Sequence, residues 1–251
     1  MAHLFAKALQ KRVHYSDAEK TMHLKNAEEL FSGISEWKGS TEFEYIGLGQ
    51  NCNASWYLKE TGLKKASYPF DWIFTTPEII CHMIEDDFKT LLNKQHLVPL
   101  GMDAGHKVYH ASFFGHRNPA SSNSDFEFLE RCVARWNRMM DEKRPVLFTT
   151  VVLNEPDKRK RFKRGFKGQF KMPVGQKLDD FEPMIQLLQS KNPNCKFLFI
   201  EQYTEGDFSL KPVTQNATSY WLRYSCKGSN SGVKYLNDFD DLIMKTLFRG
   251  S

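Results

Sequence analysis

The segment 145–153 constrains the fold more than any other part of the chain. Its residues, P-V-L-F-T-T-V-V-L, are almost all apolar or β-branched and lack the alternation of a half-exposed strand. Such a run predicts a strand covered on both faces, as in the centre of a parallel sheet. The fold is therefore expected to place helices on both sides of a sheet.

The order of the remaining elements supports this expectation. Other strands are predicted at 43–46, 98–100, 107–114, 195–200 and 219–226, and helices follow Cys52 and lie at 77–92, 124–141, 178–190 and 238–248. This alternation predicts an α/β fold, a layered sandwich with a mixed, largely parallel central sheet flanked by helices. Residues 1–40, with a helix predicted at 18–31, are interpreted as an N-terminal helical appendage, and residues 41–251 as a single α/β domain.

The turn after the first strand carries the leading candidate for chemistry. In G-L-G-Q-N-C, two glycines break the strand and a helical pattern begins after Cys52. Sites in parallel sheets form at the carboxyl ends of strands. A thiol at a helix N-terminus feels the positive end of the helix dipole, which favours the thiolate. Backbone N–H groups of the first turn, with the amides of Gln50 and Asn51, could stabilise an oxyanion.

Structural roles compete with these functional ones. A lone cysteine among small residues is more often a buried apolar side chain than a nucleophile. In S-Y-P-F-D-W, Asp71 lies between large aromatic residues, where a carboxylate requires hydrogen bonds. It could tie a turn, cap a helix or orient a histidine.

The stretch 45–72 resembles an uncharacterised domain family described as papain-like cysteine peptidases. The resemblance rests on the G-x-N-C and P-F-D-W blocks, which comprise Gly49, Asn51, Cys52, Pro69, Phe70, Asp71 and Trp72. It implies a cysteine nucleophile at Cys52 and a partner histidine at His110, although Ala111 stands where the family usually has an acid. A papain-like fold separates its helices from a barrel, whereas helices and strands alternate here, so the resemblance is expected to concern the chemistry and not the topology.

The histidines and cysteines give no sign of a metal or cofactor. His106, His110 and His116 cluster in sequence, but their spacing is not that of a recognised metal motif. The five cysteines are widely spaced without a C-x-x-C pair, which is typical of reduced thiols. The polar N-terminal residues do not resemble a secretory signal, and no apolar stretch is long enough for a membrane span. We therefore predict no metal, no cofactor and a cytoplasmic location.

Two basic features suggest anionic partners. Arg131, Arg135 and Arg138 line one face of the predicted helix 124–141, either as a solvated face or as a clamp for a substrate carboxylate or phosphate. The basic loop 158–171 alternates cations with phenylalanines. Its cations, Lys158, Arg159, Lys160, Arg161, Lys163 and Arg164, could meet a phosphate, a nucleic acid or an anionic lipid, or could form an exposed loop without a role.

The leading hypothesis is a cysteine-dependent hydrolase or acyltransferase that acts on a peptide, amide or ester. Cys52 attacks the acyl carbon, His110 takes the proton, Asp71 orients the imidazole or is structural, and Gln50 or Asn51 stabilises the oxyanion. The same groups could serve deamidation or transglutamination. The alternatives are a non-catalytic anion- or phosphate-binding module that uses the G-x-N-C turn and the Arg and Lys patches, and a carbohydrate or nucleotide-sugar transferase.

Overall fold

The structure, a computed structural model, describes residues 14–154, 164–170, 176–203, 209–228 and 230–250. Its elements in chain order are α1 (Asp17–Lys38), β1 (Glu44–Gly47), α2 (Asn53–Glu60), α3 (Pro77–Glu85), β2 (Leu97–Leu100), β3 (Asp103–His106), α4 (Asn123–Asp141), β4 (Val146–Leu153), α5 (Glu182–Lys191), β5 (Cys195–Tyr203), β6 (Ser209–Gln215), β7 (Ser219–Ser225) and α6 (Asp238–Gly250). Within these ranges, no helix has the length and apolar character that crossing a membrane requires.

The central sheet has the strand order β1-β4-β5-β7-β6. Neighbouring strands from β1 to β7 pair in parallel, and only the edge strand β6 is antiparallel. The short strands β2 and β3 form a separate antiparallel hairpin. The sequence prediction of a mixed, largely parallel α/β sheet is confirmed.

Strand β4 lies between two hydrophobic cores, one on each face of the sheet. All its residues are buried, because Phe148 and Val152 face one core while Leu147 and Val151 face the other. Helices α3, α4 and α5 cover the first face, and helices α1, α2 and α6 cover the second. Each large apolar side chain buried in this way contributes about 1.5–3 kcal/mol, which is why a continuous apolar run suits this position.

Helix α1 is longer and more integrated than the sequence indicated. It begins at a capping box in which Ser16 and Glu19 bond each other's backbone N–H groups. It continues past the predicted end at residue 31 because Ile34 and Trp37 are buried in the second core. The Trp37 indole also donates to the Asn216 carbonyl at 2.8 Å. Helix α1 thus forms a layer on the face of the sheet, and the division of the chain into an N-terminal appendage and a single α/β domain stays a prediction.

The predicted strand 107–114 is not a strand. Strand β3 ends at His106, whose backbone N–H donates to the His110 carbonyl at 2.8 Å and turns the chain. Beyond this turn only single bridges form, at His110 and Phe114. The apolar pattern that suggested a strand reflects Tyr109 and Phe113, which are fully buried in the first core.

Only part of the basic loop falls within the described residues. Lys158, Arg159, Lys160, Arg161 and Lys163 lie outside them, and Arg164 is exposed. Phe166 packs against the first core, and its ring meets the His110 ring edge-on at 4.7 Å. Phe170 is buried against the His82 ring at 5.2 Å. These two phenylalanines are therefore contacts of the first core, and the anionic partner of the basic loop stays a prediction.

The packing of α1 predicts a stability effect. Ile34→Ala should lower the free energy of unfolding by about 2–4 kcal/mol, because it leaves a cavity in the second core. Met22→Ala on the same helix, where the side chain is 51% exposed, should change it by less than about 0.5 kcal/mol. Urea denaturation measures both. An unchanged main transition in Ile34→Ala would mean that α1 does not share the core of the sheet.

Candidate active site

The carboxyl edge of the parallel strands gathers buried polar side chains. Gln50, Asn51 and Cys52 follow β1, and Cys52 is the N-cap of α2. Asn154 follows β4, Gln202 lies near the end of β5, and Asn230 follows β7; all three are buried. The predicted position of Cys52 at a strand-to-helix turn is confirmed. Sites in open α/β sheets characteristically form at this edge.

The turn before Cys52 requires glycine at position 49. Gly49 has a φ of +89°, and a Cβ atom there would lie 1.9 Å from Thr75 Oγ1. Thr75 holds the turn from the other side, since its hydroxyl donates to the Leu48 carbonyl at 2.8 Å. Its backbone N–H donates to the Gln50 carbonyl at 2.9 Å. The segment around Thr75 thus fixes the path of the chain into Cys52.

Gln50, two residues before Cys52, has an unused side-chain donor. Its Oε1 accepts a hydrogen bond from the Leu153 N–H at 3.0 Å, which fastens the amide to the end of β4. Its Nε2 is buried and has no hydrogen-bond partner among the described residues. Buried donors are almost always satisfied, so an unsatisfied one calls for an explanation. A developing oxyanion would supply the missing acceptor.

The side-chain oxygen of Asn51 is used within the turn, and the predicted role of its amide donor stays a prediction. Its Oδ1 accepts from the Asn53 N–H at 2.9 Å and from the Asn53 Nδ2 at 2.7 Å. The first N–H of α2 is therefore capped within the turn and does not point outward to bind a ligand. On the other side, Asn51 Nδ2 lies 3.9 Å from the position that a Cβ atom on Gly232 would take.

Burial keeps the Cys52 thiol protonated in the ligand-free protein. Cys52 is only 7% exposed. This burial, reinforced by the nearby Asp71 carboxylate, raises the pKa of the Cys52 thiol to about 12. A helix dipole contributes at most about 2 kcal/mol at a partly buried site, which is less than a rise of more than two pKa units at about 1.4 kcal/mol each. The expectation of a preformed thiolate is thus reversed, because desolvation outweighs the dipole.

The Asp71 carboxylate joins α2 to the turn at 68–71. It accepts hydrogen bonds from Ser55 Oγ at 2.5 Å and from the Tyr68 N–H at 2.7 Å, and it forms an ion pair with Lys64. Both charged side chains are buried. Of the roles considered for Asp71, these contacts correspond to tying a turn, because none of these three donors is a histidine.

His110 contacts Phe74, which lies next to the turn that leads into Cys52. Its ring is 4.9 Å from the Phe74 ring, and Phe74 directly precedes the Thr75 that bonds Gln50. The Nδ1 of His110 accepts a hydrogen bond from the Ser112 N–H at 3.0 Å. A neutral imidazole that accepts at Nδ1 carries its proton on Nε2. In this tautomer His110 Nε2 can donate a proton but cannot accept one.

The other two histidines differ in environment. His106 is buried and stacks on Tyr109 at 4.4 Å, and burial lowers the pKa of the His106 ring to about 4. His116 is exposed and meets the Trp72 ring edge-on at 5.7 Å. Within the described parts of the chain, no group of three His, Cys, Asp or Glu side chains could hold a metal ion.

Two of the three arginines on this helix face, Arg131 and Arg135, have local partners. Arg135 donates to the Ser67 carbonyl, next to the turn that carries Asp71. Arg131 is exposed and forms a 3.9 Å ion pair with Glu127 one helical turn earlier. The first supports the turn, and the second belongs to the solvated face of α4.

A pocket of about 380 Å³ lies between α2, the turn at 68–71 and α4. Its aromatic lining, for which we name it the aromatic pocket, consists of Trp56, Tyr68, Trp72, Phe114 and Phe128. Trp56 lies one helical turn beyond Cys52, and its backbone N–H donates to the Cys52 carbonyl at 2.9 Å. Asp71, which influences the Cys52 thiol, is also in the pocket wall, as are Val233 and His116. Neither Cys52 nor His110 lines the pocket itself.

The structure adds polar residues that the sequence analysis missed. Asn230 Nδ2 donates to Asn53 Oδ1 at 2.6 Å and to Gln202 Oε1 at 2.9 Å. Asn154 Nδ2 donates to Glu201 Oε1 at 2.7 Å. Asn154 and Gln202 could have been found, because each is a polar residue at the end of a predicted buried strand. Asn230 could not, because nothing in its local sequence points to the sheet.

Comparison with known proteins matches the segment that contains Gln50, Cys52, Asp71 and His110. Residues 43–122 match a protein-family model described as "Putative papain-like cysteine peptidase (DUF1796)", which confirms the resemblance read from the sequence and supports a cysteine-hydrolase kind of chemistry. A 50-residue stretch is 40% identical to an uncharacterized protein of Acanthamoeba polyphaga mimivirus, covering 20% of this chain and 22% of the viral protein. No solved structure matches the chain significantly.

The buried Asp71 network predicts a large loss of stability in Asp71→Asn. The substitution leaves the Lys64 ammonium buried without its counter-charge, which should cost about 3 kcal/mol in the free energy of unfolding. Asp87→Asn, which affects an exposed ion pair with Lys89, should cost less than about 1 kcal/mol. Urea denaturation of both variants, and of Asp71→Asn combined with Lys64→Met, tests this. The double variant should recover part of the loss, and equal costs for the two single variants would contradict the account.

The raised pKa of Cys52 predicts slow alkylation. Cys81 is partly exposed, and burial raises its thiol pKa to about 11, less than for Cys52. Iodoacetamide at pH 8 should therefore label Cys81 at least about tenfold faster than Cys52, because the thiolate is the reactive form. Peptide mapping over time measures both rates. Faster labelling of Cys52 than of Cys81 below pH 8 would indicate a preformed thiolate instead.

Proposed function

We propose that this protein is a cysteine-dependent hydrolase or acyltransferase that acts on an acyl bond, with Cys52 as the nucleophile. The observation that carries the proposal is the Gln50 amide, which is fixed to β4 through Oε1 and presents a buried, unpartnered Nε2 two residues before Cys52. A fixed donor of this kind favours the tetrahedral intermediate of acyl transfer, because it is aligned before charge develops. The family description of residues 43–122 supports the same kind of chemistry.

The proposed reaction proceeds through a thioester. The Cys52 sulfur attacks the acyl carbon, its proton passes to a base, and the carbonyl oxygen becomes an oxyanion that accepts a hydrogen bond from Gln50 Nε2. The intermediate collapses, and the leaving group departs with the proton returned by the base. Water or another acceptor then attacks the thioester and releases Cys52 as a thiol.

The raised pKa of the Cys52 thiol favours a mechanism in which the thiol loses its proton during attack. It disfavours one that starts from a thiolate–imidazolium ion pair. With a pKa of about 12 for Cys52, only about one molecule in 10⁵ carries the thiolate at pH 7. The base therefore has to remove the proton as the sulfur attacks, as a hydroxyl nucleophile requires.

Two histidines are candidates for the base. His110 is the residue that the resemblance implies. To accept a proton at Nε2 it would have to change tautomer, which moves its own proton to Nδ1 and breaks the hydrogen bond that Nδ1 accepts from the Ser112 N–H. His116 lines the aromatic pocket, where its exposed ring is accessible to a substrate. We propose His110 as the base and treat His116 as the competing candidate.

The proposal predicts that Cys52→Ala abolishes turnover of an activated ester. Hydrolysis of p-nitrophenyl acetate should fall at least about 10²-fold, to the rate of protein without a nucleophile. Cys81→Ala should keep the parental rate, and thermal unfolding should confirm that both variants are folded. Full activity in Cys52→Ala would exclude Cys52 as the nucleophile.

The same assay separates the two histidines. If His110 is the base, His110→Ala should lower kcat and remove the rise of the rate with pH that reports the base, while His116→Ala preserves that profile. The reverse outcome would transfer the role to His116. Because Ser112 holds His110 through the backbone, thermal unfolding of His110→Ala is required to separate a lost base from a displaced loop.

A further inference from the structure

The proposed reaction does not assign a ligand to the aromatic pocket. Its volume of about 380 Å³ lies in the range of small-molecule and side-chain sites. Aromatic rings reach it from separate parts of the chain, with Trp56 on α2, Trp72 after the 68–71 turn, Phe114 after the β3 turn and Phe128 on α4. Aromatic walls prefer an apolar or aromatic body, which they contact through faces and edges.

Three charged side chains in the pocket wall, Asp71, Arg117 and Asp125, are already paired. The Asp71 carboxylate is occupied by Ser55, Lys64 and the Tyr68 N–H. Asp125 pairs with Arg117 at 2.8 Å, and the Arg117 guanidinium lies 3.6 Å from the centre of the Phe128 ring. A polyhydroxylated ligand such as a sugar needs many free donors and acceptors, and these pairs leave it few. The wall therefore favours an aromatic body over a carbohydrate.

Two donors remain for a ligand. The Trp56 Nε1–H is buried and has no acceptor among the described residues. Lys59, three residues after Trp56 on α2, is exposed and also lines the pocket. Since both groups donate, the ligand is expected to carry a hydrogen-bond acceptor, such as a carbonyl oxygen, next to its aromatic body.

The backbone at Trp72 is strained in a way that serves this pocket. Trp72 has a φ of +65°, a left-handed conformation that bulky residues rarely adopt. Asp71, the preceding residue, is held by its buried network, which supplies the stability to maintain this conformation. Such strain of about 1–3 kcal/mol is found mainly at functional sites. Here it directs the indole to the pocket, where the ring also meets His116.

We propose that the aromatic pocket binds an aromatic side chain on the acyl part of the substrate that Cys52 attacks. This inference rests on the proposed function, and three observations connect the pocket with the proposed nucleophile. Trp56 is one turn from Cys52 on α2. Asp71 borders the pocket and influences the Cys52 thiol. Val233 in the wall follows Gly232, which faces the Asn51 amide.

Binding to Cys52→Ala protein tests the pocket without requiring turnover. The probe is N-acetyl-L-phenylalaninamide, followed by tryptophan fluorescence. Trp37, Trp136 and Trp221 are buried, whereas Trp56 and Trp72 are partly exposed and line the pocket, so a saturable change reports on this site. Affinity should be at least about tenfold higher than for N-acetyl-L-alaninamide, because the benzyl group is removed from water.

A matched pair of variants locates the binding. Val233→Phe, introduced into the Cys52→Ala background, fills the pocket and should weaken binding at least about fivefold. Val213→Phe, at an exposed position of β6 outside the pocket, should leave the affinity unchanged. Thermal unfolding checks both variants, and the comparison of the two amides remains decisive should Val233→Phe fail to fold.

Specific outcomes would overturn the inference. Equal affinity for the two amides, or full affinity in folded Val233→Phe, would exclude aromatic recognition in this pocket. Saturable binding of N-acetyl-D-glucosamine with no preference for the phenylalanine amide would assign the pocket to a carbohydrate. If either result accompanied Cys52-dependent hydrolysis of p-nitrophenyl acetate, only the pocket assignment would fail. Aromatic binding without Cys52-dependent hydrolysis would instead refute the proposed function.

Discussion

The buried carboxylate of Asp71 is the interaction on which the candidate site depends. It joins Ser55 on α2 to the turn at 68–71 and neutralises the buried Lys64. Through these bonds it positions α2, the helix that Cys52 caps, and supports the left-handed backbone of Trp72. It also raises the pKa of the Cys52 thiol. Loss of this carboxylate should therefore affect folding, pocket shape and nucleophile together.

Burial determines how chemistry can occur at this edge of the sheet. The same desolvation that protects the Cys52 thiol from ionisation strengthens any hydrogen bond that Gln50 Nε2 makes to an oxyanion, because charge is screened less in a dry site. A substrate that fills the aromatic pocket would exclude further water beside Cys52. The site is thus suited to a nucleophile that is activated in the substrate complex and is unreactive in the free protein.

The sequence predicted the parts of this protein that follow from local patterns. The apolar run around Phe148 gave a central strand, and the glycines before Cys52 gave a strand-to-helix turn, since both signals are confined to neighbouring residues. The role of Asp71 required knowledge of Lys64 and Ser55 as spatial neighbours, and sequence left it ambiguous. The segment 107–114 was wrongly predicted to be a strand. Its apolar residues Tyr109 and Phe113 are buried in the first core, but the backbone between them does not pair in a sheet. The thiol pKa depends on three-dimensional burial, which the helix-dipole argument from sequence could not weigh.

Direct detection of the acyl-enzyme tests the central claim most directly. Protein mixed with an activated ester of N-acetyl-L-phenylalanine and quenched in acid within milliseconds to seconds is digested and analysed by mass spectrometry. The account predicts a transient thioester on the peptide that contains Cys52, formed before the acid product accumulates. Turnover with no adduct on Cys52, or an adduct that accumulates only on another residue, would contradict it.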